Sequence, residues 1–304
     1  MNFSIGTDPE FILTDIEYTP KSSIGILKHK DKAVPGGKNK IYYDNVLAEV
    51  NTTPSFTKED FLKNIKYSLK SLVEVIKPLK ISKDSFAIFS SSELNHKDAF
   101  EFGCEREYCA YDLDVHQMSF ALGDARFAGG HVHIGIDIKN QEEQVMLVRM
   151  LDLFLGISLI LIDDSRNCHK RRSCFGKLGR YRKTSYGIEY RTPSNFWIFY
   201  PSLIELVYDI VEFVIDFVKR EKHFNFWKID YDKLNSDEFW NNGGNPSACH
   251  DCFGYDVNFL KKITKKEELK LNSNIIQIIN LNLPKKILEK VKEIKDNKTS
   301  WDFI

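Results

Sequence analysis

Four short couplets hold most of the side chains in this sequence that are equipped for chemistry: Asp8-Pro9-Glu10, Glu49-Val50-Asn51, His131-Val132-His133 and Glu189-Tyr190-Arg191. Each puts two polar groups two residues apart inside an otherwise apolar, strand-like run. Residues i and i+2 of a strand project to the same face of a sheet. Four such strands would build a wall of carboxylates, imidazoles and a guanidinium. Stability does not account for a wall of this kind, because neighbouring acids repel and burying charge is costly. Divalent cations together with a polyphosphate would compensate it, so the couplets read as an active site.

Taken singly, the couplets differ in force. Asp8 and Glu10 share a face and offer hard oxygen ligands to Mg²⁺ or Mn²⁺, although a solvated strand end would look the same. Glu49 leaves a strand with apolar neighbours, Asn51 shares its face and Asp44 stands at the start of the run; a polar outer face is the plainer account of that set alone. His131 and His133 follow Gly129-Gly130, which lets a backbone or ligand approach closely. A His-x-His pair could bind zinc, which would want further ligands, and the acids favour a harder, shared metal site. Glu189 and Arg191 follow directly on the most basic part of the chain. Residues 165–188 hold no Asp or Glu but contain Arg166, Lys170, Arg171, Arg172, Lys177, Arg180, Arg182 and Lys183. With Gly176 and Gly179 among them, these cations read as a loop wrapped around phosphate oxygens, or else as a solvated basic surface. The chain has no Gly-x-x-x-x-Gly-Lys-Ser/Thr phosphate loop, so a nucleotide would be held another way.

The elements that must position these groups follow from periodicity. Residues 3–13 alternate as a strand interrupted at Pro9, 24–40 read as a hairpin or loop, and 41–53 as a second strand ended by Pro54. Thr57 caps a helix that Pro78 stops. Short strands are expected at 86–89, 131–137 and 186–192, and helices at 141–162, after Pro201, at 265–280 and at 284–296. Residues 94–129 have no strong period, as functional segments often do not. Strands of alternating pattern with helices between them predict an α+β fold and a largely antiparallel sheet.

Bulk properties add exclusions. The 43 basic and 43 acidic residues among 304 cancel, so no global field argues for nucleic acid or membrane binding. The longest apolar stretch, 150–162, contains Asp152 and is too short to span a bilayer. The N-terminus lacks the pattern of a secretory signal, and six cysteines without one are expected as reduced thiols in a cytoplasm. Cys249-His-Asp-Cys252 is half a zinc motif, which Cys168-His169 with Cys174 could complete.

In chain order, Gly6-Thr-Asp8-Pro-Glu10-Phe, Glu49-Val-Asn51, Phe102-Gly-Cys104, Gly129-Gly-His131-Val-His133-Ile and Phe175-Gly-Lys-Leu-Gly-Arg-Tyr-Arg182 through Tyr186-Gly-Ile-Glu189-Tyr-Arg191-Thr-Pro-Ser-Asn-Phe-Trp197 resemble the phage carboxylate–amine ligase type 2 family. That family is a branch of the glutamine synthetase / glutamate–cysteine ligase superfamily, and the resemblance covers roughly residues 3–215. It implies a glutamine synthetase-like curved, largely antiparallel sheet with flanking helices. It also implies a C–N ligase in which ATP phosphorylates a carboxylate and an amine attacks the acyl phosphate to form a peptide or isopeptide bond. Two or three Mg²⁺ (or Mn²⁺) ions would take part.

Carried over by position, Asp8 and Glu10 resemble the first acid-x-acid pair, one for each of two metals, with Glu49, His131 and Glu189 as further metal ligands. His133 resembles a residue near the phosphates and Arg191 the arginine on the transferred phosphoryl group; Glu189, His133 and Arg191 form the catalytic set. Arg171, Arg172, Lys177, Arg180 and Arg182, with His133, would bind the nucleotide. Asp8 departs from the usual Glu and precedes a proline, which changes its reach. Asp44 or an acid within 94–128 would take the amine's proton. The implied partners are small-molecule or peptide carboxylates and amines, in a host's cytoplasm for a viral protein. Residues 1–222 are expected to form the catalytic core, with 223–304 packed on it. A guanidino-kinase-like phosphotransferase and a non-catalytic nucleotide- or zinc-binding module are the competing readings.

Overall fold

The alternation from Ser4 to Thr14 produces two strands in the computed structural model, β1 (Ser4–Thr7) and β2 (Glu10–Thr14), since Pro9 between them has no amide to donate. The structure describes residues 3–32, 34–36, 39–101, 107–116, 123–138, 140–220, 289–290, 293–294 and 297–304. Two further strands, β3 (Asn39–Asp44) and β4 (Leu47–Asn51), form a hairpin, which corrects the expectation of one strand over 41–53. Asn45 takes a left-handed backbone (φ 56°) and turns the chain with Val46, so Asp44 pairs with Leu47. Asn tolerates that conformation better than most residues, but the apolar residues on both sides disguise the turn.

The remaining strands of the site are β5 (Glu107–Cys109), β6 (Val132–Gly135), β7 (Arg180–Thr184) and β8 (Gly187–Tyr190). One sheet runs β1–β6–β8–β7–β5, with Val115–His116 outside β5. The other runs Pro20–Lys21, β2, β4, β3 and Val34–Gly36, with Lys80–Ser82 also on β2. Phe86–Ile88 pairs separately with Ala125–Phe127. All these ladders are antiparallel, and the fold is α+β as expected. The stretch read as irregular over 94–129 thus contributes three short strands and a 3₁₀ turn, Lys97–Phe100.

The first fourteen residues stitch the sheets together. On one side β1 pairs with β6, and beyond the proline Glu10 N donates to Gly129 O (2.9 Å). On the other side Ile5 and Ser55 exchange backbone hydrogen bonds (2.8 Å each), Thr52 N donates to Thr7 O (3.0 Å) and Val50 N to Pro9 O (3.1 Å).

Helices cover the apolar faces. α1 (Lys58–Val75) starts at Thr57, whose hydroxyl accepts from Asp60 N (3.1 Å), and buries Phe61, Ile65, Leu69 and Leu72. α2 (Gln141–Leu151), a π-helical turn at Asp152–Gly156 and α3 (Ile157–Ile162) make up the helix expected over 141–162. The wide turn accommodates the Tyr190 hydroxyl, which a Cβ on Gly156 would approach to 2.4 Å. α4 (Cys168–Cys174) is a short helix inside the stretch expected as a basic loop. α5 (Pro201–Arg220) begins at its proline, and its stripe of Leu203, Leu206, Val207, Ile210, Val211 and Val214 is buried. α1 and α2 both pack on α5.

Near the end of the chain Trp301 is buried; its amide donates to Phe199 O (3.3 Å) and its Nε1 to Ile198 O (3.0 Å). Lys290 pairs with Glu205 (3.0 Å) and Asp209 (3.2 Å). Residues 289–290 and 293–294, within the helix expected at 284–296, are helical; the segment 223–255 and the helix expected at 265–280 lie outside the described residues. Among the described residues no helix is long and apolar enough to cross a membrane.

Gly130 sits where the helical layer meets the site. A Cβ there would lie 2.5 Å from Ser194 O and 2.8 Å from Trp197 Nε1, which itself donates to Gly130 O (3.1 Å). Gly130→Ala should therefore cost about 2 kcal/mol of overpacking. A melting midpoint several degrees lower is the expected reading; an unchanged midpoint would contradict this account.

Candidate functional site

The register of the first sheet brings the couplets into one row. Gly6 pairs with His133, His133 with Glu189, and Glu189 with Arg182. Their neighbours Val132, Tyr190 and Tyr181 pair alike and turn to the buried helical side. Arg191 N donates to Arg180 O (3.0 Å), extending the polar face one step further. The second sheet contributes a matching row in which Glu10 pairs with Glu49 and Glu49 with Tyr42.

Asp8 and Glu10 are divided between two groups of ligand-bearing side chains. Asp8 joins His131 and Glu189, and Glu10 joins Asp44 and Glu49; in each group the donor atoms all lie within 4.8 Å of one another. In the first group, His131 Nδ1 stands 3.3 Å from Asp8 Oδ1 and 3.5 Å from Glu189 Oε1, while His133 Nε2 stands 3.0 Å from Asp8 Oδ2. Asp8 Oδ1 and His133 Nε2 are both buried, and neither has a partner in hydrogen-bonding geometry. Burial works against ionising Asp8, but the His133 and His131 charges outweigh it and hold the carboxyl well below the usual range. Burial likewise opposes a charge on His133, and Asp8 reverses that, raising its pKa. The other ring nitrogen of His133, Nδ1, hydrogen-bonds with the Tyr186 hydroxyl.

In the second group burial, reinforced by the Asp8, Glu10 and Asp44 charges, pushes Glu49 well above the ordinary carboxylate range. The Tyr42 hydroxyl, which donates to Glu49 Oε1 (2.6 Å), opposes that shift in part. Glu10 is raised too, chiefly by burial, although its Oε2 accepts from Gly129 N (2.6 Å). Both groups fit a small divalent cation: their donors are oxygens and one imidazole, and their unpartnered or mutually repelling atoms need positive charge.

Cations surround these acids. Glu189, with no exposed surface, accepts from Arg182 Nε (2.6 Å) and Arg191 Nη1 (2.8 Å). Glu107 lies between Arg191 (3.3 Å) and Arg180 (3.6 Å). A cleft opens between the sheets, lined by Glu10, Asp44, Glu107, His131, Arg126, Arg171 and Arg191 together with Leu47, Phe127 and Phe175. Arg171 is buried; its guanidinium donates to Thr192 O (2.9 Å) and Arg191 O (3.3 Å), and burial lowers its pKa to about 10.

Of the basic residues expected around phosphate, Arg171 lines the cleft, and Arg182 and Arg180 stand on the polar sheet face behind it. Arg172 packs against Asp163 (3.5 Å), and the buried Lys177 offers its carbonyl to Thr192 Oγ1 (2.9 Å). Gly176 and Gly179 permit close approach to protein rather than to an outer ligand: Gly176 abuts the Arg171 guanidinium and Thr192 O, and Gly179 abuts Tyr111 and Cys109. Cys168 is buried beside Arg172 and Cys174 is exposed; Cys249 and Cys252 lie outside the described residues. Asn51 is exposed and hydrogen-bonds Tyr42.

Reading the sequence alone passes over Tyr42, Arg126 and the grouping of Asp44 with Glu10. Recognising the Asn45 turn would have found the first and last, since it sets Tyr42 opposite Glu49. No sequence signal marks Arg126, which is held by Asn45 Oδ1 (2.6 Å) and by the carbonyls of Ala99, Gly123 and Ala125.

A family model for phage phiEco32-like COOH.NH2 ligase-type 2 proteins matches residues 117–301. The match covers more than half of the chain and takes in His131, His133, Glu189 and Arg191. The chain belongs to this family. The match extends through the C-terminal third, which the motifs alone do not reach, while Asp8, Glu10 and Glu49 precede it. No curated protein matches the chain. Among solved structures, a bifunctional glutathione synthetase from Pasteurella multocida is similar at 10% identity and a TM-score of 0.47, over 97% of this chain and 46% of that one. The chain thus spans less than half the length of that structure.

Raised carboxyls make the fold sensitive to pH. Glu49 keeps its proton in the fold at pH values where the unfolded chain, at about 4.5, has lost it, so the fold is penalised as pH rises past that value. His133, raised above 6.5, adds stability at low pH that disappears as pH climbs through its folded pKa, which acts in the same direction. In protein stripped of divalent cations, the melting midpoint should fall between about pH 5 and pH 7, and Glu49→Gln should flatten the fall. Parallel curves for the two proteins would refute the assignment of that slope to Glu49.

Proposed function

We propose that this protein is an ATP-dependent carboxylate–amine ligase that forms a peptide or isopeptide bond through an acyl phosphate. One observation carries the reading: two acid-rich groups, separated by Pro9, adjoin a single cleft that also holds Arg126, Arg171 and Arg191. Phosphoryl transfer needs charge neutralisation and in-line positioning more than covalent help from the protein, and this pairing of acids with fixed guanidiniums suits it.

Asp8, His131 and Glu189 would hold one Mg²⁺ or Mn²⁺, and Glu10, Asp44 and Glu49 another. When bound, such ions neutralise phosphate oxygens and polarise the transferred group. The chain's own groups then divide the work. Arg171, anchored on two backbone carbonyls, presents fixed positive charge to the phosphates. Arg191, which rests on Glu189 and Glu107, turns to the γ-phosphoryl group as a substrate carboxylate oxygen attacks its phosphorus and ADP leaves. His133, oriented by Tyr186, borders the phosphates. The amine nitrogen next attacks the acyl carbon, phosphate departs, and we assign acceptance of the amine's proton to Glu107, the cleft carboxylate that belongs to neither acid group.

Glu189→Gln and His131→Ala should each lower Mg²⁺-dependent ADP formation at least about 100-fold with the far-UV circular dichroism unchanged. The assay is ADP release from pooled carboxylates and amines, with mass detection of the product. Release that needs both pools supports the ligase; release with one pool and a stable phosphorylated product would indicate a phosphotransferase, and full turnover in both variants would sink the assignment.

A further inference from the structure

The edge of the first sheet ends in a hairpin that is anchored at its base, where Arg149 Nε donates to Ala110 O (2.9 Å) and Ala110 N to Gly179 O (2.9 Å), and bare at its tip. β5 turns through residues 110–114 into Val115–His116, with Leu113 in the left-handed region (φ 64°). Leu113 and Val115 are exposed, so the tip buries little beyond Cys109 and Ala110. Three chemically different donors nevertheless converge there: Cys109 Sγ, an Asp112 carboxylate oxygen and a His116 ring nitrogen all lie within 4.8 Å of one another.

Their arrangement resembles a prepared ligand set. The sulfur is buried, and burial raises the pKa of its thiol, a shift that the backbone amides of Asp112 and Tyr111 oppose only in part. Asp112 is oriented by Asp114 N, which donates to Oδ1 (2.9 Å), and its Oδ2 meets His116 Nε2 at 2.7 Å. That carboxylate and imidazole face solvent, leaving a route for an ion to reach the sulfur. As an exposed ion pair, Asp112 and His116 alone would contribute little.

We propose that Cys109, Asp112 and His116 bind a transition-metal ion of the zinc type as a structural clamp on this hairpin, separate from the acid groups of the cleft. Mixed sulfur, nitrogen and oxygen donors suit zinc and disfavour Mg²⁺, and three protein ligands leave a fourth position for water. Metal bonds of about 2.0–2.3 Å ask for modest closure around the ion, with the Asp112–His116 contact opening to admit it. Binding expels the thiol proton, so the ion replaces it in a site where burial otherwise raises the thiol pKa. The clamp would fix the strand that carries Glu107.

The test is a Co²⁺ titration of the full chain, stripped by chelator and held in excess Mg²⁺ to fill oxygen-rich sites. About one equivalent of Co²⁺ should develop a thiolate-to-cobalt charge-transfer absorption that Zn²⁺ abolishes. The absorption should be lost in Cys109→Ser and kept when Cys249 and Cys252 are both changed to Ser. His116→Gln, at the surface, should weaken Co²⁺ binding at least about tenfold even if the cysteine variant does not fold. Absence of the absorption, its survival in Cys109→Ser, its loss in the Cys249/Cys252 variant, or unchanged affinity in His116→Gln would each overturn the proposal.

Discussion

Glu189 is an ionisable carboxyl without exposed surface in the middle of a sheet, and most of the polar architecture compensates for it. Arg182 and Arg191 donate to its two oxygens, and His131 stands beside one of them. Arg191 is in turn balanced by Glu107, and Glu107 by Arg180. On the other side, His131 and His133 hold Asp8 ionised. Removing any one member leaves a neighbour buried and unpaired, which costs far more than an exposed pair is worth. Within strands β6, β7 and β8, His133, Arg180, Arg182 and Glu189 take part in the charge network, while Val132, Ile134, Tyr181, Ile188 and Tyr190 supply the buried apolar face.

This self-compensation shapes how the cleft can accept a charged guest. The guanidiniums are already engaged with carboxylates or carbonyls, so an anion would enter by exchanging partners rather than by filling an electrostatic void. Exchange preserves the hydrogen-bond count and keeps the resting site intact. The second acid group differs. It has Tyr42 and Gly129 as hydrogen-bond donors, and burial raises both Glu49 and Glu10. Burial there favours the protonated carboxyls, whereas in the first group arginines and histidines balance the negative charge.

Much of this was legible in the sequence for reasons that are local. Period-two spacing was enough to put His131 with His133 and Glu189 with Arg191, each pair on one strand face, and Thr57, Pro201 and the apolar stripe of α5 announced their helices. What failed to show was set by contacts distant in sequence or masked by neighbours. Asn45 sits in an apolar run that hides its turn, so the grouping of Asp44 with Glu10 went unseen. The basic stretch read as a loop because charge alone was counted; Arg171 and Arg172 are instead buried through Thr192 and Asp163, partners that no spacing rule identifies. Glycines 176 and 179 suggest a loop wrapped around phosphate, but the groups that crowd them are protein.

Pro9 deserves a last consideration as a piece of covalent geometry. The residues on either side of it belong to different acid groups, Asp8 just past β1 and Glu10 at the start of β2, yet they are joined by a single residue, which limits their Cα atoms to about 7 Å apart. The offset between the groups is therefore written into bond lengths, as in a ruler, rather than into the mutual packing of two layers. Thermal breathing of the sheets or a repacked core would tilt the two sets of ligands relative to each other, but the tripeptide would still hold the gauge.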